Sequence, residues 1–252
     1  MHSHALRLVT GVLCLGIAAC GGEKNATPAG PPAGALRVDD ARAGTVKGRV
    51  SFEGAPPPNA PVKISADATC MRANASGMTF ENFVVTDGGL DNVFVYVKDG
   101  LGNYYFDVPA EPVKLDQQGC RYVPHVLGAR VGQPIEISNS DDTLHNVHAV
   151  ANVNREFNFG QPIKGQKNIK TFTAREVMVP LKCDVHGWMQ AFAGILDHPY
   201  FAVTSNGGKF QLKNLPAGTY TVEAWHEKLP AQTQTVTIGE KASKDVSFTF
   251  KM

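Results

Sequence analysis

Two short segments of the sequence carry side chains that bind soft metal ions. The first segment contains His145, and the second contains Cys183, His186 and Met189. Thiolate and thioether sulfur are soft donors that suit Cu(I), whereas imidazole suits both oxidation states of copper. Two imidazoles, one thiolate and a weak axial thioether make up the ligand set of copper sites that transfer single electrons. We therefore predict that these four residues bind one type 1 copper ion per chain.

The residues around these ligands form two recognisable motifs. Residues 143–148 read Thr-Leu-His-Asn-Val-His, and residues 183–189 read Cys-Asp-Val-His-Gly-Trp-Met. The motifs resemble those of the cupredoxins, and the Cys-x2-His-x2-Met spacing is similar to the short loop of the amicyanin branch. This resemblance implies a Greek-key β-sandwich in which Asn146 ties the two ligand segments together. It also implies that Trp188, beside His186, belongs to an apolar patch where a redox partner docks.

Two other uses of Cys183 fit the pattern less well. Structural zinc sites favour several thiolates, commonly in Cys-x2-Cys pairs, and zinc seldom uses methionine. A nucleophilic cysteine needs a histidine placed by the fold and a third orienting group, and Met189 would then have no role. A site that keeps the fold but has lost the metal stays open as an alternative.

The remaining histidines after residue 44 are interpreted as packed or exposed side chains. His148 lies three residues after His145, and on an extended strand this offset places it on the opposite face. The same interpretation covers His125, His198 and His226. Metal binding by His148 or His125 nevertheless stays open from the sequence.

Composition and charge exclude several classes of function. The 252 residues include 24 Lys or Arg and 23 Asp or Glu, for a formal charge of +1. This balance gives no electrostatic footprint for nucleic acid. The length allows one large or two small β domains. A second copper site of the kind that oxidase or nitrite-reductase chemistry needs is not identifiable, so we expect no enzymatic activity.

The N-terminal segment is typical of an exported lipoprotein. Residues 8–19 form an apolar run that is too short to span a membrane and is typical of a secretory signal. Residues 15–20 resemble a bacterial lipobox, which implies a signal peptide at 1–19 and a lipid on Cys20. An ordinary signal peptide with a chance cysteine is the alternative. Residues 20–44 are rich in Gly, Ala and Pro and predict a flexible linker. We expect a protein anchored to a bacterial membrane and facing the periplasm or the cell exterior.

The five cysteines divide into separate roles. Cys14 lies in the predicted signal peptide, Cys20 carries the predicted lipid and Cys183 is the predicted metal ligand. Cys70 and Cys120 remain, and an even pair in an oxidising compartment predicts a disulfide. Two separate buried thiols are the alternative.

The exported sequence is β throughout and predicts two sandwiches. Residues 46–52 alternate between apolar and polar side chains, as a half-buried strand does, and no segment shows a sustained helical period. Residues 208–222 resemble the carboxypeptidase-regulatory-like, transthyretin-like β-sandwich, and residues 44–64 resemble its opening strands. We therefore predict a smaller outer sandwich, built from residues 45–117 and 199–252, into which a cupredoxin domain at 118–198 is inserted. Two consecutive sandwiches, with an enlarged cupredoxin at 45–196, are the alternative.

These patterns together predict a membrane-tethered electron carrier. Its partner would be a redox protein such as an exported cytochrome or a copper oxidase, and we expect no nucleic-acid partner. One alternative is a periplasmic copper-binding or delivery protein. Another is a β-sandwich module for interaction or carbohydrate binding, with a degenerate copper site.

Overall fold

The computed structural model describes residues 30–64 and 67–252. Within these ranges it contains eighteen β-strands and one six-residue helix, which confirms the predicted all-β fold. The predicted signal peptide at 1–19, Cys20 and the first part of the predicted linker lie outside the described residues. The described part of the chain holds no helix with the length and hydropathy that a membrane crossing requires.

The elements follow one another along the chain with short connections in most places. In chain order they are β1 (Gly44–Phe52), α1 (Ala68–Ala73), β2 (Val85–Thr86), β3 (Gly89–Leu90), β4 (Phe94–Asp99), β5 (Val113–Gln117), β6 (Tyr122–Val123), β7 (Val126–Arg130), β8 (Ile135–Asn139), β9 (His145–Ala149), β10 (Phe157–Gln161), β11 (Lys167–Lys170), β12 (Glu176–Lys182), β13 (Gln190–Leu196), β14 (Phe201–Val203), β15 (Lys209–Leu215), β16 (Gly218–His226), β17 (Leu229–Ile238) and β18 (Ser243–Phe250).

Strands from both ends of the described chain form one sandwich, which we call the outer sandwich. One of its sheets has the order β15-β1-β3-β2, with β18 also paired to β1, and the other has the order β14-β4-β16-β17. β1 runs antiparallel to β15 and parallel to β18. The side chains of Val46, Phe210, Val222 and Phe248 meet in the core between the two sheets. The outer sandwich therefore draws its strands from before and after the intervening strands.

The strands from β5 to β13 form a second sandwich, which we call the inner sandwich. Its sheets have the orders β10-β9-β12-β13-β7 and β11-β8-β5-β6. Leu115, Ile137, Val147 and Ile195 are among the side chains buried between them. The candidate ligands lie on β9 and on the segment that joins β12 to β13. Both are therefore attached to this packed sandwich.

The two sandwiches meet at a flat contact that depends on glycine. Gly128 of β7 and Gly194 of β13 are paired residues in neighbouring strands. A Cβ atom on Gly194 would lie 2.4 Å from Cζ of Phe94, and one on Gly128 would lie 2.3 Å from Cε2 of Phe201. The rings of Phe94 and Phe201 stack on each other with centroids 5.6 Å apart. The two glycines thus leave room for a pair of phenyl rings from the outer sandwich.

His226 of β16 is buried in a neutral state, which makes the stability of the fold depend on pH. The pKa of His226 is lowered to about 4. Burial is the largest cause, and nearby His125 and Lys228 also lower the pKa, while Glu227 raises it. The ring also lies against Phe83. The pKa in the folded state is below the ordinary value of 6.5. The unfolded chain therefore binds more protons between these values, and the free energy of unfolding falls as the pH drops through this window.

We expect the His226→Gln variant to be less sensitive to this acidification than the wild type. Between pH 7 and pH 4.5 the wild type should lose about 2 kcal/mol more of its free energy of unfolding than the variant does. Urea unfolding of both proteins at the two pH values measures the difference. Equal losses would show that folding does not lower the pKa of His226.

Candidate metal centre

Three donor atoms from two distant segments converge in the inner sandwich. His145, Cys183 and His186 each bring one potential ligand atom within 4.8 Å of the other two. The Nδ1 atoms of the two imidazoles are 2.9 Å apart, and Nδ1 of His186 is 3.9 Å from Sγ of Cys183. The three residues are 0%, 2% and 3% exposed, respectively.

These separations can be compared with what a single metal ion permits. Two donors of one ion cannot be further apart than two metal–ligand bonds. That limit is about 4 Å for two nitrogens and about 4.4 Å for nitrogen and sulfur at the bond lengths of zinc. The two measured separations lie within these limits. The residues present therefore fit one ion held by two imidazole nitrogens and a thiolate.

His145 is oriented by a carboxylate behind it. The residue begins β9, and its Nε2 lies 3.0 Å from Oδ2 of Asp141. The Asp141 carboxylate also accepts hydrogen bonds from the backbone N–H groups of Gly119 and Cys120, at 2.8 and 2.7 Å. Burial alone would raise the pKa of Asp141, but these hydrogen bonds outweigh it and lower the pKa. The ionised carboxylate therefore holds the ring with Nδ1 directed into the site.

His186 has a similar carboxylate on its outer nitrogen. Its Nε2 lies 3.4 Å from Oδ2 of Asp67. Asp67 caps α1 by accepting a hydrogen bond from the backbone N–H of Cys70, and it accepts another from the hydroxyl of Thr143. Burial opposes these hydrogen bonds, but together they lower the pKa of Asp67 to about 2. Metal-binding imidazoles usually have their second nitrogen bonded to a carboxylate, carbonyl or water, and both candidate histidines meet that criterion.

The loop between β12 and β13 holds the two candidate sulfur ligands, Cys183 and Met189. The backbone N–H of His186 donates to Sγ of Cys183 at 3.3 Å. The N–H of Cys183 donates to the carbonyl of Met189 at 3.2 Å, and the N–H of Met189 donates to the carbonyl of His186 at 2.8 Å. Met189 is buried and packs in the same apolar cluster as Cys183. The loop is thus closed by its own backbone, with both sulfur-containing side chains directed inward.

The charges around the site favour a cation. Burial raises the pKa of the Cys183 thiol, but hydrogen bonds from His145 and from backbone N–H groups outweigh it, so the pKa is lowered. Burial lowers the pKa of His145, but Asp141 and Cys183 together raise it to about 9. Burial and the nearby His145 lower the pKa of His186. Two carboxylates and a thiol whose pKa is lowered therefore lie around the two imidazoles.

Asn146 connects the two segments that carry the candidate ligands. Its side-chain oxygen accepts hydrogen bonds from the backbone N–H groups of Asp184 and Val185, at 2.5 and 3.4 Å. Its side-chain nitrogen donates to Asn158 of β10 at 2.6 Å. The hydroxyl of Tyr122 adds a second connection, because it lies 2.5 Å from the carbonyl of Asn146 and 3.0 Å from that of Lys182. The loop is therefore fixed to β9 from both sides.

A cap covers His186 from solvent. The cap consists of Asp67, α1, the Cys70–Cys120 disulfide and Trp188. The disulfide is present as the sequence predicts, and Sγ of Cys70 lies 3.8 Å from Nε2 of His186. The indole N–H of Trp188 donates to the carbonyl of Cys120, and its ring centroid is 4.9 Å from that of His186.

This cap differs from what the cupredoxin resemblance implies. The resemblance suggests an imidazole that meets solvent through an apolar patch, whereas His186 is almost fully buried. The difference arises because the segment between β1 and β2 adds α1, which the disulfide fastens over the imidazole. Trp188 lies at the edge of this cap and is partly buried.

The other histidines lie outside the cluster of donor atoms. Among the described residues, the groups that could hold a metal do not include His125, His148, His198 or His226. His148 points away from the site, with Nε2 2.7 Å from a Glu156 carboxylate oxygen. Among the histidines that the structure describes, His145 and His186 alone are grouped with Cys183.

The sequence did not predict either of the orienting carboxylates. Asp141 precedes His145 by four residues, so the local spacing contained a signal for it. Asp67 gives no such signal, because it lies far from His186 in the sequence. It approaches the His186 ring only in the folded protein, as part of the cap.

Comparison with known families gives one match in the C-terminal half. A family model described as polysaccharide lyase family 4, domain II, matches residues 173–246, which run from β12 of the inner sandwich into β18 of the outer one. It is not the carboxypeptidase-regulatory-like family that residues 208–222 resemble. No curated protein matches the chain.

Parts of the chain are similar to solved copper proteins. A copper-containing nitrite reductase from Thermus scotoductus SA-01 is 20% identical over 35% of this chain and 23% of its own, with a TM-score of 0.33. A variant of amicyanin in its Cu(I) form is 26% identical over 35% of this chain and 86% of its own, with a TM-score of 0.31. A purple cupredoxin from Nitrosopumilus maritimus is 17% identical over 33% of this chain and 98% of its own, with a TM-score of 0.28. TM-scores of this size carry no argument about function, so the function is inferred from the geometry of the site.

Proposed function

We propose that this chain is an exported, membrane-tethered type 1 copper protein that carries single electrons between redox partners. The observation that supports the proposal is the convergence of two imidazole nitrogens and one thiol sulfur in a buried site. His145, Cys183 and His186 would hold the ion, and Met189 would be the weak axial ligand. When bound, copper supplies a reversible one-electron change between its monovalent and divalent forms.

The protein contributes a framework that resists rearrangement. Asp141 and Asp67 hold the outer nitrogens of the two imidazoles. Asn146 and Tyr122 fix the loop that carries the thiolate. Ligands that are locked by such supporting contacts keep their geometry when the charge of the site changes. An electron can then enter or leave with little movement of the protein.

The burial of the site favours a carrier over a delivery protein. A delivery protein must release its ion to an acceptor, which requires ligands that an acceptor can reach. Here the three ligands are buried, and the cap lies over His186. An electron needs no such opening. We therefore place copper storage or delivery second.

The proposal includes a redox partner and a membrane anchor. The partner would be an exported cytochrome or a copper oxidase, and Trp188 beside His186 marks the surface through which the electron would pass. Weak redox encounters typically bury less than about 1,200 Å² in total. A lipid on Cys20 would keep the protein at the membrane of the periplasm or cell exterior. The role is that of a carrier, not of an enzyme.

The absorption spectrum of the copper-loaded full-length protein tests this function. An intense visible thiolate-to-Cu(II) band, lost on reduction and restored on oxidation, would support electron transfer. A colourless protein that binds only Cu(I) would favour delivery. A protein that takes up no copper would favour the non-redox interaction module and reject the proposal.

The Met189→Leu variant should keep the visible band and have a higher reduction potential. Cu(I) is stable with the two imidazoles and the thiolate alone, whereas Cu(II) favours an additional donor, so the removal of Met189 favours the reduced state. We expect a rise of roughly 60 mV, which is tenfold in a one-electron equilibrium constant. A redox titration followed at the visible band measures it. Met78→Leu is the matched control, because Met78 is also buried but lies outside the ligand loop, and its potential should not change. An unchanged or lower potential in Met189→Leu would remove Met189 from the ligand set.

A further inference from the structure

A buried pair of side chains, His125 and Glu227, joins the two sandwiches directly behind the candidate metal-binding loop. Nε2 of His125 lies 2.6 Å from Oε1 of Glu227, and the two side chains are 11% and 4% exposed. His125 immediately precedes β7 of the inner sandwich, whereas Glu227 lies in the turn between β16 and β17 of the outer one. The pair is therefore a direct polar connection between the two bodies.

Both ring nitrogens of His125 face oxygen atoms that can accept a hydrogen bond. Its Nδ1 lies 3.0 Å from the carbonyl oxygen of Gln190, which can only accept. Its Nε2 faces a carboxylate that is ionised, because His125 and Lys228 lower the pKa of Glu227 against the effect of burial. The ring of His125 therefore contacts one residue of each sandwich.

His125 holds the first residues after the axial ligand. Gln190, whose carbonyl it binds, directly follows Met189 in the chain. The backbone N–H of Phe192 donates to the carbonyl of His125 at 3.0 Å, and the two rings meet edge to face at 5.8 Å. The start of β13 is thus fixed by both the side chain and the backbone of His125.

The surroundings of the pair leave little solvent to weaken it. A cavity of about 30 Å³ lies between the two sandwiches, and its lining includes His125, Glu227, Trp188 and Met189. A cavity of this size has room for roughly one or two water molecules. The contact between His125 and Glu227 is therefore little exposed to water, and the cavity adjoins Met189.

We propose that His125 and Glu227 are positioning residues through which the outer sandwich fixes Met189 relative to the metal. The restraint passes from Glu227 to the His125 ring, from the ring to the carbonyl of Gln190, and from Gln190 to Met189, which precedes it in the chain. The outer sandwich then contributes to the reduction potential of a site that it does not touch. This inference rests on the proposed function.

Four variants of the full-length protein test the restraint. Glu227→Ala removes the carboxylate, and His125→Phe removes both hydrogen bonds while keeping the ring contact with Phe192. In Glu227→Gln, the amide can donate to Nε2 of a neutral His125, so both hydrogen bonds are retained without the charges. Glu223→Gln is the matched control, because Glu223 is also a buried carboxylate of the outer sandwich. It accepts a hydrogen bond from Tyr96, away from the metal loop.

We expect Glu227→Ala and His125→Phe to loosen Met189 and raise the reduction potential. The one-electron equilibrium constant should shift by about threefold, which is roughly 30 mV. The ratio of the thiolate-to-Cu(II) absorption bands should change, with one copper still bound per chain. Glu227→Gln should restore most of the wild-type potential, and Glu223→Gln should leave it unchanged.

The following results would overturn the proposal or separate it from the proposed function. Wild-type potentials and band ratios in both Glu227→Ala and His125→Phe would overturn it, as would an equal shift in Glu223→Gln. If the wild type shows no visible band, the proposed function fails, and the metal-free proteins decide. Faster hydrogen exchange of the Met189 and Gln190 amides in Glu227→Ala than in Glu227→Gln would then support the restraint, and equal exchange would overturn it.

Discussion

The Cys183→Ser variant should lose the whole visible band of the copper-loaded protein. Among the described residues, Cys183 is the free cysteine, since Cys70 and Cys120 are joined to each other. A serine hydroxyl is a hard donor that stays protonated near neutral pH, so it supplies neither the charge-transfer band nor a soft ligand. We also expect Cu(I) affinity to fall by at least roughly 100-fold, because losing a ligand should exceed the 10–100-fold effect of losing a supporting contact.

Absorption spectroscopy and competition with a copper chelator measure these two changes. His148→Gln is the matched control, because His148 lies on the same strand as His145 but outside the group of donor atoms. It should keep both the colour and the affinity. Full colour in Cys183→Ser would reject the ligand assignment, and loss of colour in His148→Gln would make His148 a ligand.

The Cys70→Ser, Cys120→Ser double variant should be strongly destabilised and should bind copper less durably. The disulfide closes a loop of 50 residues, for which the chain-entropy model gives a contribution of about 4 kcal/mol. For a chain of this size that corresponds to a fall in Tm of roughly 10 °C. The same change frees α1 from the inner sandwich and should uncover His186.

Calorimetry of the metal-free protein measures the loss of stability, and the rate at which a chelator removes copper measures the opening of the cap. Ala75→Ser is the control, because it introduces the same side chain at an exposed position shortly after α1. Its Tm and its copper release rate should equal those of the wild type. If the double variant keeps the wild-type release rate after losing stability, α1 does not depend on the disulfide for its position over His186.

The sequence was sufficient for features that depend on local patterns or on composition. Alternation of apolar and polar residues predicted strands such as β1, and the lack of a helical period agrees with a described chain in which α1, a short helix, is the one helix. The disulfide followed from an even pair of cysteines left over in an oxidising compartment. The prediction of Cys183, His186 and Met189 as ligands followed from their donor atoms and their spacing within one short loop, together with the resemblance to the cupredoxins.

Other features of the site depend on residues that are far apart in the chain. Asp67 reaches His186 because α1 folds over the inner sandwich, and the resemblance to shorter copper proteins gave no reason to expect this cover. Glu227 reaches His125 across the joint between the sandwiches. Neither carboxylate belongs to a recognisable motif, because the sequence around a single acidic residue does not indicate which imidazole it will contact.

The amino-acid sequence by itself determined the all-β class, the disulfide partners and the kinds of atom that the metal site can offer. Only the tertiary structure decided that β1 pairs with β18, that His186 is covered, and that the outer sandwich contacts the metal loop through His125. The physical reason is the range of the interactions. Periodicity and spacing describe neighbours along the chain, whereas these contacts arise only when the packing of the whole chain brings distant side chains together.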